Sequence, residues 1–136
     1  GVPLRVEIGP KDMEKDQCVI ARRDTGEKVT VPLADLEETV KKLLDAVHDN
    51  MYAMALRNRE DNTFDISTPE EAKAIAEGRG GFLRSKWCGS LECELAMKEQ
   101  AGVSSRCMPL KQSGTEGVCP VCGKKCLTDI YWGVAY

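Results

Sequence analysis

The sequence predicts an α+β or α/β chain in two parts: a partial mixed sheet of three strands with one long helix over residues 1–60, then a small α+β domain built on a metal site over residues 61–136. Three observations predict this. Short alternating runs near the start read as strands. Apolar residues at three- and four-residue intervals from Leu33 to about Arg59 read as one helix, and two cysteine pairs late in the chain gather thiols at one point.

In Gly1–Pro10, Leu4, Val6 and Ile8 alternate with Arg5 and Glu7, the pattern of a half-buried strand whose polar face carries Arg5 and Glu7. Gly9-Pro10 ends it in a turn that bears Lys11 and Asp12. Two β-prone runs, Gln17–Arg23 and Glu27–Val31, join through Asp24-Thr25-Gly26, a sequence suited to a tight hairpin. From Leu33 onward, Leu36, Val40, Leu43, Leu44, Val47, Met51 and Met54 continue the apolar stripe of one amphipathic helix. Asp35, Glu37 and Glu38 lie in its first turns and Arg57 and Arg59 near its end, the polarity that the helix dipole favours. His48, the only histidine, has no second ligand at i+3 or i+4 and reads as a solvated or half-buried helix residue. Met51 and Met54 read as core filler.

Asn62–Ser67 reads as a polar link with one short apolar stretch. Thr68-Pro69-Glu70-Glu71 supplies an N-cap, a proline at the first helical position and a capping-box glutamate, so a helix runs from Pro69 to about Glu77. Gly78-Arg79-Gly80-Gly81 stops it. This glycine-rich loop follows a helix, and no helix N-terminus aims at it, so it is a flexible turn rather than a phosphate cradle. Phe82–Trp87 leads into the first cysteine pair, Leu91–Gln100 is a short helix, Ser105–Leu110 a strand, and Asp129–Tyr136 a last strand of aromatic content.

The cysteine pairs are Cys88-Gly-Ser-Leu-Glu-Cys93 and Cys119-Pro-Val-Cys122-Gly123. The second is the sharper signal: a Cys-x-x-Cys turn lets backbone N–H groups point at the sulfurs while the following glycine takes a conformation closed to other residues. The first places one thiol on a loop and the other in the first turn of the Leu91–Gln100 helix. Together Cys88, Cys93, Cys119 and Cys122 offer four thiolates, a closed tetrahedral set for structural Zn²⁺. A redox dithiol, a disulfide and a rubredoxin-like iron site are the alternatives. Against thioredoxin-like use, the partner of Cys88 stands five positions on instead of three, and Cys119–Cys122 is followed by a Gly-Lys-Lys loop where that chemistry wants a helix. Cys126 competes with Cys122 for the fourth place, although it lies on the outgoing chain. Cys18 and Cys107 sit in apolar, strand-like runs and read as small core residues.

With 136 residues there is room for one ordinary domain or two small ones, and a bound zinc contributes on the order of 10 kcal/mol to folding such a core. Seven cysteines, no signal peptide and no apolar run of membrane length point to a reducing, cytoplasmic setting with no membrane partner. A net charge of −3 with 30% charged residues does not advertise a DNA or RNA binder, so an RNA role rests on a local patch. The chain opens on Gly, which is the expectation for a fragment or processed product.

Gly1-Val-Pro-Leu-Arg-Val-Glu-Ile-Gly-Pro-Lys-Asp12, Ala21-Arg-Arg-Asp-Thr-Gly-Glu-Lys28, the two cysteine pairs, Ser105-Arg-Cys-Met-Pro109 and the terminal Tyr-Trp-Gly-Val-Ala-Tyr136 together resemble the C-terminal part of a prolyl-tRNA synthetase. It is the archaeal and eukaryotic-like type, also found in some bacteria, in which a zinc-binding domain follows the anticodon-binding domain. The resemblance covers essentially the whole chain and implies that it begins inside the anticodon domain, a mixed α/β sheet with helices. It implies contacts to the proline anticodon from Arg5, Lys11, Asp12 and Lys28. An aspartate accepts from guanine N1–H and the N2 amino group, and Lys and Arg donate to O6, N7 or phosphate. It also implies zinc on Cys88, Cys93, Cys119 and Cys122, and a terminal carboxylate of Tyr136 placed toward the catalytic domain as an interdomain contact. The implied parent is a homodimeric ligase that activates proline with ATP and Mg²⁺ and transfers it to tRNA(Pro). Gly78-x-Gly80 with Arg84 misses that enzyme class's Gly-x-Gly-x-x-Arg spacing by one, so catalysis is expected outside this segment and the segment alone is expected to be inactive. A stand-alone zinc-ribbon-like interaction module and a thiol oxidoreductase are the competing function classes.

Overall fold

The computed structural model describes residues 1–135. Tyr136, to which the resemblance gives an interdomain contact, lies outside the described residues. The chain forms two compact units, Gly1–Asn58 and Arg59 onward. The first contains β1 (Leu4–Glu7), α1 (Pro10–Met13), β2 (Gln17–Arg22), β3 (Lys28–Pro32), a 3-10 turn over Leu33–Asp35 and most of α2 (Leu36–Asp61). The second contains β4 (Thr63–Asp65), α3 (Pro69–Glu77), β5 (Phe82–Trp87), α4 (Leu91–Ala101), β6 (Ser104–Cys107), β7 (Gly117–Val118), β8 (Lys125–Cys126) and β9 (Thr128–Gly133).

In the first unit, β1, β2 and β3 form an antiparallel sheet in that order. Val6, Ile20 and Val29 share one row across it, and Cys18 faces Val31. Cys18, Ile20 and Val31 are buried there, packed by Leu4, Val29, Leu36, Val40 and Leu43. Cys18 therefore is a small core residue. The alternation of β1 is only partly used: Val6 and Ile8 are exposed, because β1 is an edge strand and nothing in this unit covers its outer margin. Met51 and Met54 are not core filler, being 60% and 54% exposed. A helix of 26 residues is about 39 Å long, roughly twice the reach of a six-residue strand, so α2 outruns the sheet that buries its earlier turns. The Gly9-Pro10 turn is tighter than a simple reversal. It opens the single helical turn α1, in which Asp12 Oδ2 accepts from the Gly9 N–H and Oδ1 accepts from the Gln17 amide.

The β2–β3 turn is fixed by Gly26, whose φ of +74° needs a residue without a Cβ, and by Asp24. Asp24 accepts two hydrogen bonds from the Arg22 guanidinium, at 3.1 and 2.7 Å, and a third from the Asn50 amide of α2 at 2.8 Å. The Arg22 guanidinium, with help from Asn50, holds the Asp24 carboxyl down to about 2. A carboxylate depressed on folding stabilises the fold above its ordinary value near 4, and that contribution is lost as pH falls through the folded value. Acid titration followed by the backbone amide signals of Gln17–Val31 is therefore expected to show loosening of this hairpin between about pH 4 and 2. Asp24→Asn should lower stability at neutral pH and flatten that acid limb; an unchanged limb would remove Asp24 from the account.

The second unit is a mixed four-stranded sheet in the order β4-β5-β9-β6, with β4 parallel to β5 and the other pairs antiparallel. The segment expected to be a polar link thus contains a strand. Its pairing depends on α3 crossing over to bring β5 alongside, and a parallel neighbour reached through a helix leaves little local signal. α3 begins as its residues require: Thr68 Oγ accepts from Glu71 N–H, and the Glu71 carboxylate accepts from the Ser67 N–H. Ile66, Ala72, Leu83, Met97, Ala101, Val103, Ile130 and Trp132 make the core. Trp132 is fully buried and donates its indole N–H to Ser85 Oγ at 2.9 Å. Cys107, expected in the core, is exposed. A bulge between Ser105 and Cys107 adds a residue to β6, and Cys107 then pairs with Tyr131, not with a core-facing position of β9.

Candidate metal centre and nucleic-acid face

The two cysteine pairs are delivered by two different kinds of turn. β5 ends at Trp87, Cys88 follows on the loop, Gly89 turns the chain with φ +84°, and Ser90 starts α4, in whose first turn Cys93 lies. The Trp87 indole donates to the Ser90 carbonyl at 3.2 Å and so ties the two ends of this loop. The second pair sits at the tip of the β7–β8 ribbon, in which Gly117 faces Cys126 and Val118 faces Lys125. Cys119 N–H donates to the Lys124 carbonyl and Gly123 N–H to the Cys119 carbonyl, both at 2.9 Å, while Gly123 takes φ +69°.

These turns bring the sulfurs of Cys88, Cys93, Cys119 and Cys122 within 4.8 Å of one another. Four thiolates around one Zn²⁺ at about 2.3 Å stand about 3.8 Å apart, so the donor set has the size and chemistry of a tetrahedral sulfur site. The cluster can hold a metal ion. Its electrostatics show how a cation would be accommodated. Burial opposes ionisation of Cys119, yet N–H groups of Cys122, Val121 and Cys88 aimed at its sulfur bring the thiol down to about 7. Burial, then the neighbouring sulfurs of Cys88, Cys122 and Cys119, push Cys93 up to about 12. Four sulfurs in one place resist carrying charge together, and a divalent cation removes that resistance. Cys126, the competing ligand, lies outside the cluster on β8; its thiol is raised by burial and then by the charges of Cys119, Cys88 and Cys122. Cys119 is 2% exposed and Cys122 is the accessible member, on a ribbon tip and not at the head of a helix. A dithiol oxidoreductase needs the opposite.

On the first unit, the sheet face away from α2 carries Arg5, Ala21 and Lys28 in one row across β1, β2 and β3. Glu7 lies on the same face and accepts from Arg5 Nε at 2.8 Å and from Lys28 Nζ at 3.2 Å. The Lys28 ammonium first, then the Arg5 guanidinium, holds the Glu7 carboxyl below its ordinary value. Beside this row runs a groove of about 450 Å³ lined by Arg5, Ala21, Arg23, Gly26 and Lys28 among others. The fold thus brings Arg5 and Lys28 together. Lys11 and Asp12 stand on α1 instead, where both Asp12 oxygens are taken up by Gly9 and Gln17. Glu7, Ala21 and Arg23 carry no assigned role in the sequence reading. Strand parity alone places Glu7 two residues from Arg5 on one face, but its bridge to Lys28 depends on the register of a strand 21 positions on.

Residues 69–136, half of the chain, match the family described as "Prolyl-tRNA synthetase, C-terminal", and residues 1–43 match the family described as "Anticodon binding domain". The chain belongs to the prolyl-tRNA synthetase family. Over all 136 residues it is 45% identical to a "Proline--tRNA ligase 2" of Bacillus cereus (strain ZK / E33L), covering 29% of that protein. It is 46% identical to a "Proline--tRNA ligase" of Clostridium novyi (strain NT) and 45% to one of Clostridium botulinum (strain Loch Maree / Type A3), covering 28% of each. The chain therefore spans under a third of the length of these relatives. The candidate metal centre falls in the part matched to the synthetase C-terminal family, and the Arg5/Glu7/Lys28 face in the part matched to the anticodon-binding family. Among the described residues no helix is long and apolar enough to cross a membrane.

Proposed function

We propose that this chain is the part of a proline–tRNA ligase that holds the tRNA anticodon on the Arg5/Glu7/Lys28 face and keeps its second domain in shape with a structural zinc ion on Cys88, Cys93, Cys119 and Cys122. The carrying observation is the clamped pair of cations: the segment matched to an anticodon-binding family presents Arg5 and Lys28 on one open sheet face, prealigned by Glu7. Guanidinium and ammonium groups donate to guanine O6 and N7, and single-stranded anticodon bases expose those edges. Lys11 and Asp12 of α1 are the remaining contacts in this reading, Asp12 through the lone pairs that Gly9 and Gln17 leave open. The zinc closes its coordination shell with protein ligands, so its contribution is folding and not chemistry. In this reading residues 1–60 and 61–136 are the two domains, the partners are tRNA(Pro) and the catalytic domain of the whole enzyme, to which Tyr136 is directed, and the whole enzyme is a cytoplasmic homodimer. ATP and Mg²⁺ serve proline activation in that catalytic domain, not in this segment.

Fluorescence anisotropy with two RNA hairpins tests the reading, one bearing the proline anticodon with its two guanines and one with those guanines replaced. The chain is expected to prefer the first. Arg5→Ala and Lys28→Ala should each cost about 1–3 kcal/mol of binding and erode that preference. Equal binding of the two hairpins by the unmodified chain would overturn the anticodon assignment.

A further inference from the structure

Two consecutive arginines, Arg22 at the end of β2 and Arg23 in the turn after it, are used differently. Arg22 is committed to Asp24 by two hydrogen bonds, with Glu27 4.0 Å away on its other side. Arg23, the next residue, is exposed, lines the groove with Arg5 and Lys28, has its backbone N–H fixed on the Pro3 carbonyl at 3.0 Å and lays its guanidinium beside Gly1. Among the described residues its guanidinium makes no side-chain hydrogen bond and no ion pair. Of the groove's other three cations, Arg5 and Lys28 share Glu7 and Arg22 is held by Asp24, whereas no carboxylate is assigned to Arg23. Between Arg5 and Lys28 the floor is Ala21, whose single methyl leaves the row flat.

We infer that Arg23 takes a backbone phosphate of the RNA strand, while Arg5 and Lys28 address base edges above Ala21. A guanidinium presents a planar fork that fits phosphate oxygens, and one without a carboxylate partner has no ion pair to break before binding. Glu7 disfavours phosphate beside Arg5 and Lys28 and favours the donor edge of a guanine there, so the groove separates a strand-positioning end from a base-reading end. The inference rests on the anticodon reading and refines it.

The test is anisotropy of the two hairpins across a potassium chloride series, with the unmodified chain, Arg23→Gln, Arg23→Lys and Arg5→Gln. Arg23→Gln is expected to weaken both hairpins alike, about fivefold, and to lower the slope of log affinity against log salt by about 0.7, the share of one single-strand phosphate contact. Arg23→Lys should keep the slope, and Arg5→Gln should change the ratio between the hairpins. An unchanged slope and affinity in Arg23→Gln would overturn the phosphate contact and leave the anticodon reading standing. A changed hairpin ratio at unchanged slope would overturn it in favour of base reading. Loss of hairpin preference in the unmodified chain would remove the anticodon reading and this inference together.

Discussion

Cys119→Ser is expected to purify without metal and to lose ordered structure from about Phe82 onward, while the β2–β3 hairpin keeps its amide dispersion. Cys119 is the most buried of the four clustered thiols and accepts backbone N–H groups from both cysteine turns, so a hydroxyl there removes the ligand best prepared to be a thiolate. The C-terminal ribbon has little else to hold it: β7 and β8 are two residues each, and Val118 and Leu127 beside them are exposed. A structural zinc contributes on the order of 10 kcal/mol, comparable to the whole net stability of a small domain, so its loss exceeds what the remaining packing supplies. Elemental analysis and a thiol count before and after chelation read the effect. One zinc per chain with four thiols exposed only on chelation is expected for the parent, and zero for Cys119→Ser. Cys107→Ser and Cys126→Ser should each keep the metal, since one is exposed on β6 and the other lies outside the cluster. Identical thermal unfolding of Cys119→Ser and parent would rule out structural zinc.

The cysteine turns were legible because their information is local. Spacing and a following glycine specify a knuckle without reference to the rest of the chain, and the same holds for the Asp24-Thr25-Gly26 hairpin, the Thr68-Pro69 helix start and the long apolar period of α2. What escaped depends on residues far apart in sequence. β4 exists because β5 comes alongside it, Cys107 turns outward because of one bulge, and Met51 and Met54 are exposed because the sheet beneath α2 is short. The nucleic-acid face divides the same way. Charge alone nominates Arg5 and Lys28, but the Glu7 bridge and the contrast between a paired Arg22 and an unpaired Arg23 appear only when three strands are in register. A sequence shows which side chains exist, and pairing decides which of them remain available.

Lys86→Met is expected to destabilise the second unit by about 3 kcal/mol and to speed release of the metal to a chelator, although Lys86 is no ligand. The Lys86 and Asp129 side chains are only 14% and 10% exposed, and the ammonium stands 2.6 Å from Asp129 Oδ1. Lys86 Nζ also donates to Ser113 Oγ and the Leu127 carbonyl, Asp129 Oδ2 accepts the Ser113 N–H, and the Gln112 amide pairs with both the N–H and the carbonyl of Asp129. Gly117, at the base of the cysteine ribbon, lies so close over the Lys86 stem that a Cβ there would stand 2.7 Å from Cγ. One side chain therefore joins β5, β9, the 112–115 loop and the ribbon that carries Cys119 and Cys122. Burial works to raise the Asp129 carboxyl, yet Lys86 and the Ser113 N–H hold it down to about 2. In the parent this stabilisation is present above about pH 4 and is lost as pH falls toward 2. Without the ammonium, burial is opposed only by the Ser113 hydrogen bonds and the carboxyl rises from its parent value, so the variant should be least stable relative to the parent at neutral pH and draw closer to it as pH is lowered. Lys86→Met combined with Asp129→Asn separates charge from packing. If the unpaired carboxylate is the cost, the double variant recovers most of the loss in urea unfolding followed by tryptophan fluorescence. If it stays as unstable as the single variant, the cost lies in the lysine stem under Gly117, and the ion pair is only a surface of that packing.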